Sequence, residues 1–379
     1  MGTTMEDHGY DRTFWLAYLA NGLTTVANAM LVRYADFVTA LGGEERQLGL
    51  IVGCGMVGSI VIRFGQGVAI DRWGAGRIWQ LSMVLYTASL LLHLTLDTAY
   101  SPAIFIVRAL MQSSLAGVFG SSITFVSLRT SPAKMAEMIG ALGTSGFIGI
   151  ALGPLVSDWL AAGDAAPRDV ALRMLSVASI FAAVSTVATW LATRHSAPPP
   201  HRRRPPVGLV VRRYLSVVLG VTGAAMGAGF SIPMTFLRPF TAEAQLGAVG
   251  VFFFVYATTA FVARVGSREL FERYGNRPWI LAGLSLLTIS FLLYLPVTRA
   301  WQLAIPGAMA GIAHALLFPS VMAEGTGTFP RRYLGVATSV MLASFDIGTL
   351  IGAPVVGAFL RYAKQHSEHA YQTMFAGVA

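Results

Sequence analysis

The sequence predicts an all-α polytopic membrane protein made of two six-helix bundles related by a pseudo-two-fold axis. Only 12% of the 379 residues are charged and 55% are apolar, whereas soluble domains carry about 25% charged residues. Apolar runs of bilayer-spanning length recur along the chain, and motifs of the first half return in the second. These observations predict helices that face lipid and a duplicated bundle.

The composition suits a surface that faces lipid. The mean hydropathy is +0.62, and the 40 glycines fit helices that approach one another closely in a membrane. The net charge of +9 does not indicate a nucleic-acid partner, because the arginines are spread among apolar runs and are better explained by topology. Cys54 is the one cysteine, so no disulfide forms within the chain. Residues 1–12 are polar and acidic, and we expect no cleaved signal peptide.

Eleven runs reach the length of about 20 apolar residues that a transmembrane helix needs. They cover residues 14–38, 48–67, 78–97, 102–127, 138–161, 171–193, 214–237, 247–266, 279–297, 301–322 and 335–360. A twelfth run begins near Ala370 and stops at Ala379. We therefore predict that the twelfth helix is truncated.

The distribution of Lys and Arg predicts the orientation, since these residues favour the cytoplasmic side. A cytoplasmic N-terminus gives that side a large basic set: Arg72, Arg77, Arg129, Lys134, Arg268, Arg273, Arg277, Arg331 and Arg332. The opposite side receives far fewer basic residues: Arg46, Arg168, Arg299, Arg361 and Lys364. The excess of Arg over Lys, with much Ala and Gly, favours a high-GC bacterial source. We therefore expect a multi-pass protein of the bacterial inner membrane with its N-terminus in the cytoplasm.

A linker rich in proline and arginine divides the chain. Residues 194–213 cannot span a membrane, and their composition predicts an extended cytoplasmic connector with affinity for lipid headgroups. The predicted organisation is a six-helix bundle over residues 1–193, the linker, and a second bundle over residues 214–379. The second bundle holds helices seven to eleven and the start of the twelfth.

Two motifs occur once in each half. The first, GVAIDRWGAGR at residues 67–77, returns as RELFERYGNR at residues 268–277, with corresponding residues 201 positions apart. The second, GIALGP at residues 149–154, returns as GTLIGAP at residues 348–354, about 200 positions later. Because two unrelated motifs repeat at nearly one spacing, we predict an internal duplication, which is typical of transporters.

The first motif resembles the signature loop between the second and third helices of the major facilitator superfamily. The residues that carry this resemblance are Gly67, Asp71, Arg72, Gly74 and Arg77, repeated as Glu272, Arg273 and Gly275. The second motif resembles the fifth-helix motif of proton-coupled exporters in that superfamily, and Arg108 stands where the family has a fourth-helix arginine. The resemblance implies the major facilitator fold and a carrier similar to the drug/proton antiporter group.

The resemblance also implies a role for the loop acids. Asp71 would hold one conformation by lying against the positive N-terminal end of helix eleven, near Leu334, and Glu272 would do the same toward helix five. Such contacts must break during transport, so they would tune the balance between inward and outward states. The alternative is that these charges only set topology.

Four charged residues within the apolar runs are candidates for substrate or proton coupling. Asp346 is interpreted as a protonation site or a counter-charge for a cationic substrate, or else as a buried acid satisfied by a neighbour. Arg33 and Asp36 share a helix face. They are interpreted either as a local ion pair or as contacts for the substrate. Arg108 would pair with an acid or carbonyl, bind an anion, or relay protons with Asp36. Arg264, at the end of the eighth run, is interpreted as topological.

The residues of the second motif have two interpretations, close helix packing or a pair of flexing gate helices. They are Gly149, Gly153, Pro154, Gly348, Gly352 and Pro354. The histidines lack metal-ligand spacing, and neither a Walker loop nor a nucleophile–base pair is visible. We therefore expect no catalytic residue, metal or cofactor, and not an enzyme.

These features predict a secondary active transporter that works by alternating access, with a cavity between residues 14–193 and 214–379. The leading interpretation is proton-coupled export of a small lipophilic or amphipathic compound. One alternative is a proton-coupled symporter that imports a sugar or organic anion, with Arg33 and Arg108 as anion contacts. Another is a non-transporting membrane sensor. The expected partners are a small-molecule substrate, protons and membrane lipids, and the protein is expected to be a monomer.

Overall fold

The computed structural model describes residues 9–161, 166–196, 206–246, 250–367 and 369–379. These residues form α-helices joined by short connections. The helices are α1 (Arg12–Met30), α2 (Tyr34–Ala40), α3 (Glu45–Trp73), α4 (Ala75–His93), α5 (Pro102–Leu128), α6 (Met135–Ala161), α7 (Pro167–Thr193), α8 (Val207–Tyr214), α9 (Val217–Glu243), α10 (Gly250–Gly266), α11 (Arg268–Tyr274), α12 (Arg277–Leu292), α13 (Ala304–Gly327), α14 (Leu334–His366) and α15 (Ala370–Val378). Short 3-10 turns precede α2, α13 and α14.

The predicted all-α class is confirmed. Six helices among the described residues are long and apolar enough to cross a membrane, or up to eight if each of two bent pairs counts as one span. The bent pairs are Arg12–Met30 with Tyr34–Ala40, and Leu50–Arg63 with Gly65–Trp73, each bent by 47°. The apolar helices Gly250–Gly266 and Arg277–Leu292 are shorter than a usual span. The predicted runs 78–97 and 279–297 reach past their helices, because the chain turns after His93 and Leu292.

Two of the described helices begin at a side chain that satisfies one of their free backbone amides. Asp11 precedes α1 and accepts a hydrogen bond from the Phe14 amide at 2.8 Å, and Ser101 does the same for α5 through the Ala103 amide at 3.2 Å. Such N-cap bonds satisfy amides that lack a partner within the helix. The local sequence therefore determines where these helices start.

The chain forms two compact units. Unit 1 contains Met1–Ser131, Ile148–Arg212 and Pro330–Val340. Unit 2 contains Pro132–Phe147, Arg213–Phe329 and Met341–Ala379. Each unit takes most of its helices from one half of the sequence and one short segment from the other half.

In unit 1, α5 packs against α3 and α4, while α7 packs against α1 and α4. The large side chains Trp79, Met83 and Tyr86 of α4 are fully buried in this bundle. In unit 2, α13 packs against α9, α10 and α12. The fourth and tenth spanning runs thus lie within their bundles, and Arg108 of the fourth run is buried there.

Candidate functional site

The carboxylate of Asp71 binds the start of α14 in unit 1. Its Oδ1 accepts a hydrogen bond from the Gly335 amide at 2.7 Å and its Oδ2 accepts one from the Val336 amide at 3.1 Å. Only 8% of Asp71 is exposed. The first amides of a helix lack partners within that helix and carry partial positive charge. A buried carboxylate here satisfies two such amides and meets a favourable field.

Two glycines allow this approach of α3 to α14. A Cβ on Gly67 would lie 2.7 Å from the Val336 Cα and 2.9 Å from the Gly335 carbonyl oxygen. A Cβ on Gly335 would lie 2.6 Å from Oδ1 of Asp71. Real Cβ atoms do not approach other atoms so closely, and the obstructing atoms at Gly67 belong to the backbone. The Asp71 contact therefore needs glycine on both helices.

Arg331 forms a second contact at the same end of unit 1. Its Nη2 donates to the carbonyl oxygens of Ser127 at 3.3 Å, Leu128 at 3.4 Å and Thr130 at 2.7 Å. The carbonyls of Ser127 and Leu128 end α5, and that of Thr130 lies two residues beyond it. The last carbonyls of a helix lack partners within it and carry partial negative charge. From the sequence, Arg331 was predicted only to set topology, and its position just before α14 was the available signal for this contact.

Replacing Arg331 by glutamine is expected to reduce transport several-fold and to lower thermal stability. The substitution removes a cation that three carbonyl oxygens share, and hydrogen bonds to charged groups contribute about 1.5–3 kcal/mol each at most sites. Thermal denaturation of the purified protein measures the loss of stability, and uptake into proteoliposomes measures the loss of transport. Arg361→Gln, which removes the same charge from an exposed position on α14, is the control. Equal behaviour of the two variants would contradict a role for Arg331.

The other residues of the signature loop lie at the end of α3, at the start of α4 and at the end of α11. Gly74 and Gly275 end these helices with φ of 96° and 72°, a conformation that favours glycine. Arg72, Arg77 and Arg273 are exposed. The side chain of Glu272 lies outside the described residues. The repeated glycines thus occupy equivalent turns in the two units.

The ion pair predicted as one option for Arg33 and Asp36 is present, with Arg33 Nε 2.7 Å from Asp36 Oδ2. Both side chains are partly exposed, at 36% and 48%.

Arg108 is buried on α5, and the central carbon of its guanidinium lies over the ring of Tyr34, 4.1 Å from the ring centroid. The hydrogen bonds and ion pairs of the described residues do not join Arg108 to Asp36. Among the described residues, Arg108 and Asp36 therefore have separate partners, and a relay between them stays a prediction.

Asp346 lies half-buried near the middle of the 33-residue helix α14. Its neighbour Phe345 contacts the ring of Phe318 on α13, with centroids 6.4 Å apart. An acid at this depth of a spanning helix is costly unless it is paired or protonated. Asp346 thus remains the acidic candidate for proton coupling in unit 2.

The glycines of the second motif make repeated close helix contacts. In unit 1, Cβ atoms on Gly149 and Gly153 would each lie 2.5 Å from α1, at the Cβ atoms of Thr25 and Ala29. In unit 2, Gly348 and Gly352 pack in the same way against Ala224 and Ala228 of α9. Pro154 is half-buried within α6, and Pro354 is exposed within α14. Close packing is therefore a property of both copies of the motif.

A buried polar and aromatic cluster in unit 2 surrounds Arg264. Arg264 is 2% exposed, so its side chain does not face solvent at the helix end, as a topological charge would. It donates to the carbonyl oxygens of Gly140 at 3.1 Å and His314 at 3.0 Å. The hydroxyl of Tyr256 forms a hydrogen bond with Nδ1 of His314. Sequence reasoning missed this cluster, although Arg63 and Arg264 have the same spacing of 201 as the signature loops.

No group of three or more His, Cys, Asp or Glu among the described residues could hold a metal ion. The candidate groups are helix-end contacts, buried arginines and one half-buried acid. This arrangement holds helix ends together, and within the described part of the chain it does not assemble metal ligands.

Comparison with known proteins defines the class. The profile of the family described as Major Facilitator Superfamily matches residues 14–268 and 219–378. The chain belongs to this family of multi-pass membrane transporters. The predicted membership and the predicted fold of two six-helix bundles are confirmed.

Two curated relatives match part of the chain. A tetracycline resistance protein of class B from Escherichia coli is 30% identical over 149 residues, which is 38% of this chain and 36% of that protein. A class H protein from Pasteurella multocida is 31% identical over 148 residues, with the same two shares. The chain thus spans about a third of the length of these relatives.

Solved structures match nearly the whole chain. The human organic anion transporter MFSD10 (TETRAN) has a TM-score of 0.77 at 17% identity, covering 97% of this chain and 96% of that one. The E. coli fucose:proton symporter FucP, solved as a variant, has a TM-score of 0.74 at 14% identity and 97% coverage of both chains. At these identities the likeness shows the fold alone.

Proposed function

We propose that this transporter exports a small lipophilic or amphipathic compound in exchange for protons. The Gly149–Gly153–Pro154 motif supports export, because it resembles the fifth-helix motif of proton-coupled exporters. The partial matches to two tetracycline resistance proteins support the same direction. Tetracycline is therefore the first compound to test as a substrate.

The observation that carries alternating access is the Asp71 carboxylate on the Gly335 and Val336 amides. The contact joins residues more than 260 positions apart in the chain and depends on glycine at 67 and 335. In the proposed cycle it stabilises one state and breaks in the other, so that access to the substrate changes sides. Arg331 on the end of α5 would act with it, since it precedes the same helix.

Proton-driven flux in proteoliposomes tests the direction. In vesicles loaded with tetracycline, an imposed pH gradient is expected to drive the drug across the membrane in the direction opposite to proton flow. Flux in the same direction as protons would favour the symporter instead. No flux with tetracycline or with compounds found by a thermal-shift screen would favour the non-transporting sensor.

Replacing Asp346 by asparagine is expected to abolish acceleration of flux by a pH gradient, while exchange of substrate at equal pH continues. The reason is that an amide cannot take up or release the coupling proton, whereas it retains the size and polarity of the carboxyl group. Gradient-driven and equal-pH fluxes in the same vesicles measure this separation. Glu243→Gln, at an exposed acid that pairs with Lys364 at 2.5 Å, is the control. Full coupling in the Asp346 variant would exclude the role.

The alternative of organic-anion transport has its own support. Arg108 and Arg264 are buried, and the described ion pairs supply neither with a carboxylate. Buried cations without an acid favour a substrate that brings negative charge. Amphipathic anions satisfy both this observation and the proposed export.

We further propose a monomer with residues 1–193 and 214–379 as the two bundles. The proposed location is the bacterial inner membrane, with the N-terminus in the cytoplasm. The bias of Lys and Arg between alternate connections supports this orientation. Labelling of single cysteines introduced at Arg72 and Arg299 from either side of the membrane tests it, and labelling of both from the same side would contradict it.

A further inference from the structure

Arg264 is a buried cation without a counter-charge among the described side chains. Two of its N–H groups donate to neutral backbone carbonyls, and its Nε donates to no acceptor in the described part of the chain. A guanidinium has five N–H donors in a planar fork that matches a carboxylate. Removing such a charge from water is costly unless an anion and further hydrogen bonds compensate. The Arg264 guanidinium therefore has an unsatisfied N–H donor and no anionic partner among the described side chains.

An aromatic surround lies beside this cation, centred on the half-buried ring of His314. That ring stacks on Phe230 with centroids 4.5 Å apart and an interplanar angle of 26°. It also contacts Phe147 edge-to-face, with centroids 5.2 Å apart, and Phe318 in a tilted arrangement, with centroids 5.8 Å apart. Helices α6, α9, α10 and α13 supply these rings and the Tyr256 hydroxyl. Planar rings at such distances favour stacked or edge-to-face contact with a further aromatic group.

One side chain, that of Phe147, contacts both the Arg264 guanidinium and the aromatic rings. Phe147 contacts the imidazole of His314 and also lies 5.4 Å from the guanidinium of Arg264. The carbonyls that Arg264 now contacts, those of Gly140 and His314, lie inside α6 and α13, where each also accepts a helical amide. Moving the guanidinium from these neutral carbonyls to an anion would therefore leave neither carbonyl without a hydrogen bond.

We propose that Arg264, Tyr256, His314, Phe147, Phe230 and Phe318, here named the Arg264 cluster, bind an organic anion that carries an aromatic ring. The carboxylate of the ligand binds the guanidinium of Arg264, and the aromatic ring of the ligand lies among the phenylalanines and His314. The half-buried positions of His314 and Phe318 provide the side from which the ring enters. This inference rests on the proposed transport function, because the buried Arg264 must become accessible in another state of the cycle.

Three ligands that share one ring and differ in charge test the assignment: 2-naphthoate, 2-naphthylmethanol and 2-naphthylmethylammonium. Isothermal titration with the purified full chain is expected to show that the carboxylate binds about tenfold more tightly than the other two, as one added charge-assisted contact predicts. In Arg264→Gln this preference should fall to about twofold or less, with binding of the alcohol unchanged. Phe318→Leu should weaken all three ligands. Arg361→Gln, at an exposed position, should retain the full preference.

Equal affinities in the unaltered protein, or an unchanged preference in Arg264→Gln, would overturn the assignment. If Arg264→Gln does not fold, photolabelling of the unaltered protein with benzophenone-4-carboxylate decides. Labels are then expected in peptides from residues 140–147, 256–264 and 314–318, and labels confined to other peptides would overturn the inference. Binding without flux in proteoliposomes would contradict the proposed function alone, whereas flux of tetracycline without binding of naphthoate would contradict this inference alone.

Discussion

Replacing Asp71 by asparagine is expected to lower transport by about tenfold or more while the protein still inserts and folds. The carboxylate accepts two backbone amides at 2.7 and 3.1 Å in a buried position, and hydrogen bonds to charged groups contribute about 1.5–3 kcal/mol. The amide side chain presents one acceptor, and its NH2 group faces the second donor. The conformation that contains this contact should therefore lose stability. The equilibrium between the inward and outward states should shift by about 10- to 100-fold.

Initial rates of uptake into proteoliposomes measure this effect, with folded yield measured alongside. Asp97→Asn is the matched control, because Asp97 pairs with Arg168 at 2.8 Å while 84% of its side chain is exposed. Exposed pairs contribute only about 0–1 kcal/mol, so the control should transport at the normal rate. Normal rates in both variants would leave the Asp71 contact without a role in transport.

Replacing Gly153 by leucine is expected to abolish transport and to lower thermal stability. A Cβ here would lie 2.5 Å from the Ala29 Cβ and 2.8 Å from the Ala29 carbonyl carbon on α1. The obstructing atoms include backbone, so the two helices must separate. Overpacking of this kind costs about 1–3 kcal/mol, and a helix shift also disturbs the hydrogen bond from Ser157 to the Met30 carbonyl.

Gly146→Leu supplies the control on the same helix. A Cβ at Gly146 would meet no atom within 4 Å, and both substitutions change helix propensity by the same amount. The difference in melting temperature between the two variants thus measures packing of α6 on α1. A Gly153 variant as stable and active as the Gly146 variant would show that this helix pair is not closely packed in the membrane.

The sequence is sufficient to predict the helices and the duplication. Long apolar runs must form helices in a bilayer, because every backbone group has to be satisfied within the span. The repeats place Gly74 and Gly275 at equivalent turns, and both indeed have positive φ. The helix start near Leu334 follows from the family motif, and the structure places the Asp71 carboxylate there. The gating role of Asp71 stays a prediction.

Contacts between distant helices are harder to predict, because local periodicity does not specify which side chains meet. Arg108 and Asp36 were paired as a possible relay from their depths in the sequence, whereas Asp36 pairs with Arg33 and Arg108 lies over Tyr34. Arg264 looked like an end charge, because its helix ends two residues later at Gly266. Its burial depends on Gly140 and His314, which lie on two other helices.

The opening of the Asp71 contact is measured most directly by electron paramagnetic resonance distances between spin labels on Arg72→Cys and Arg332→Cys, both exposed positions, with Cys54→Ser as background. Two distance populations are expected in liposomes, with their ratio changed by substrate and shifted toward the longer distance by Asp71→Asn. A single distance that neither substrate nor Asp71→Asn alters would contradict alternating access through this contact.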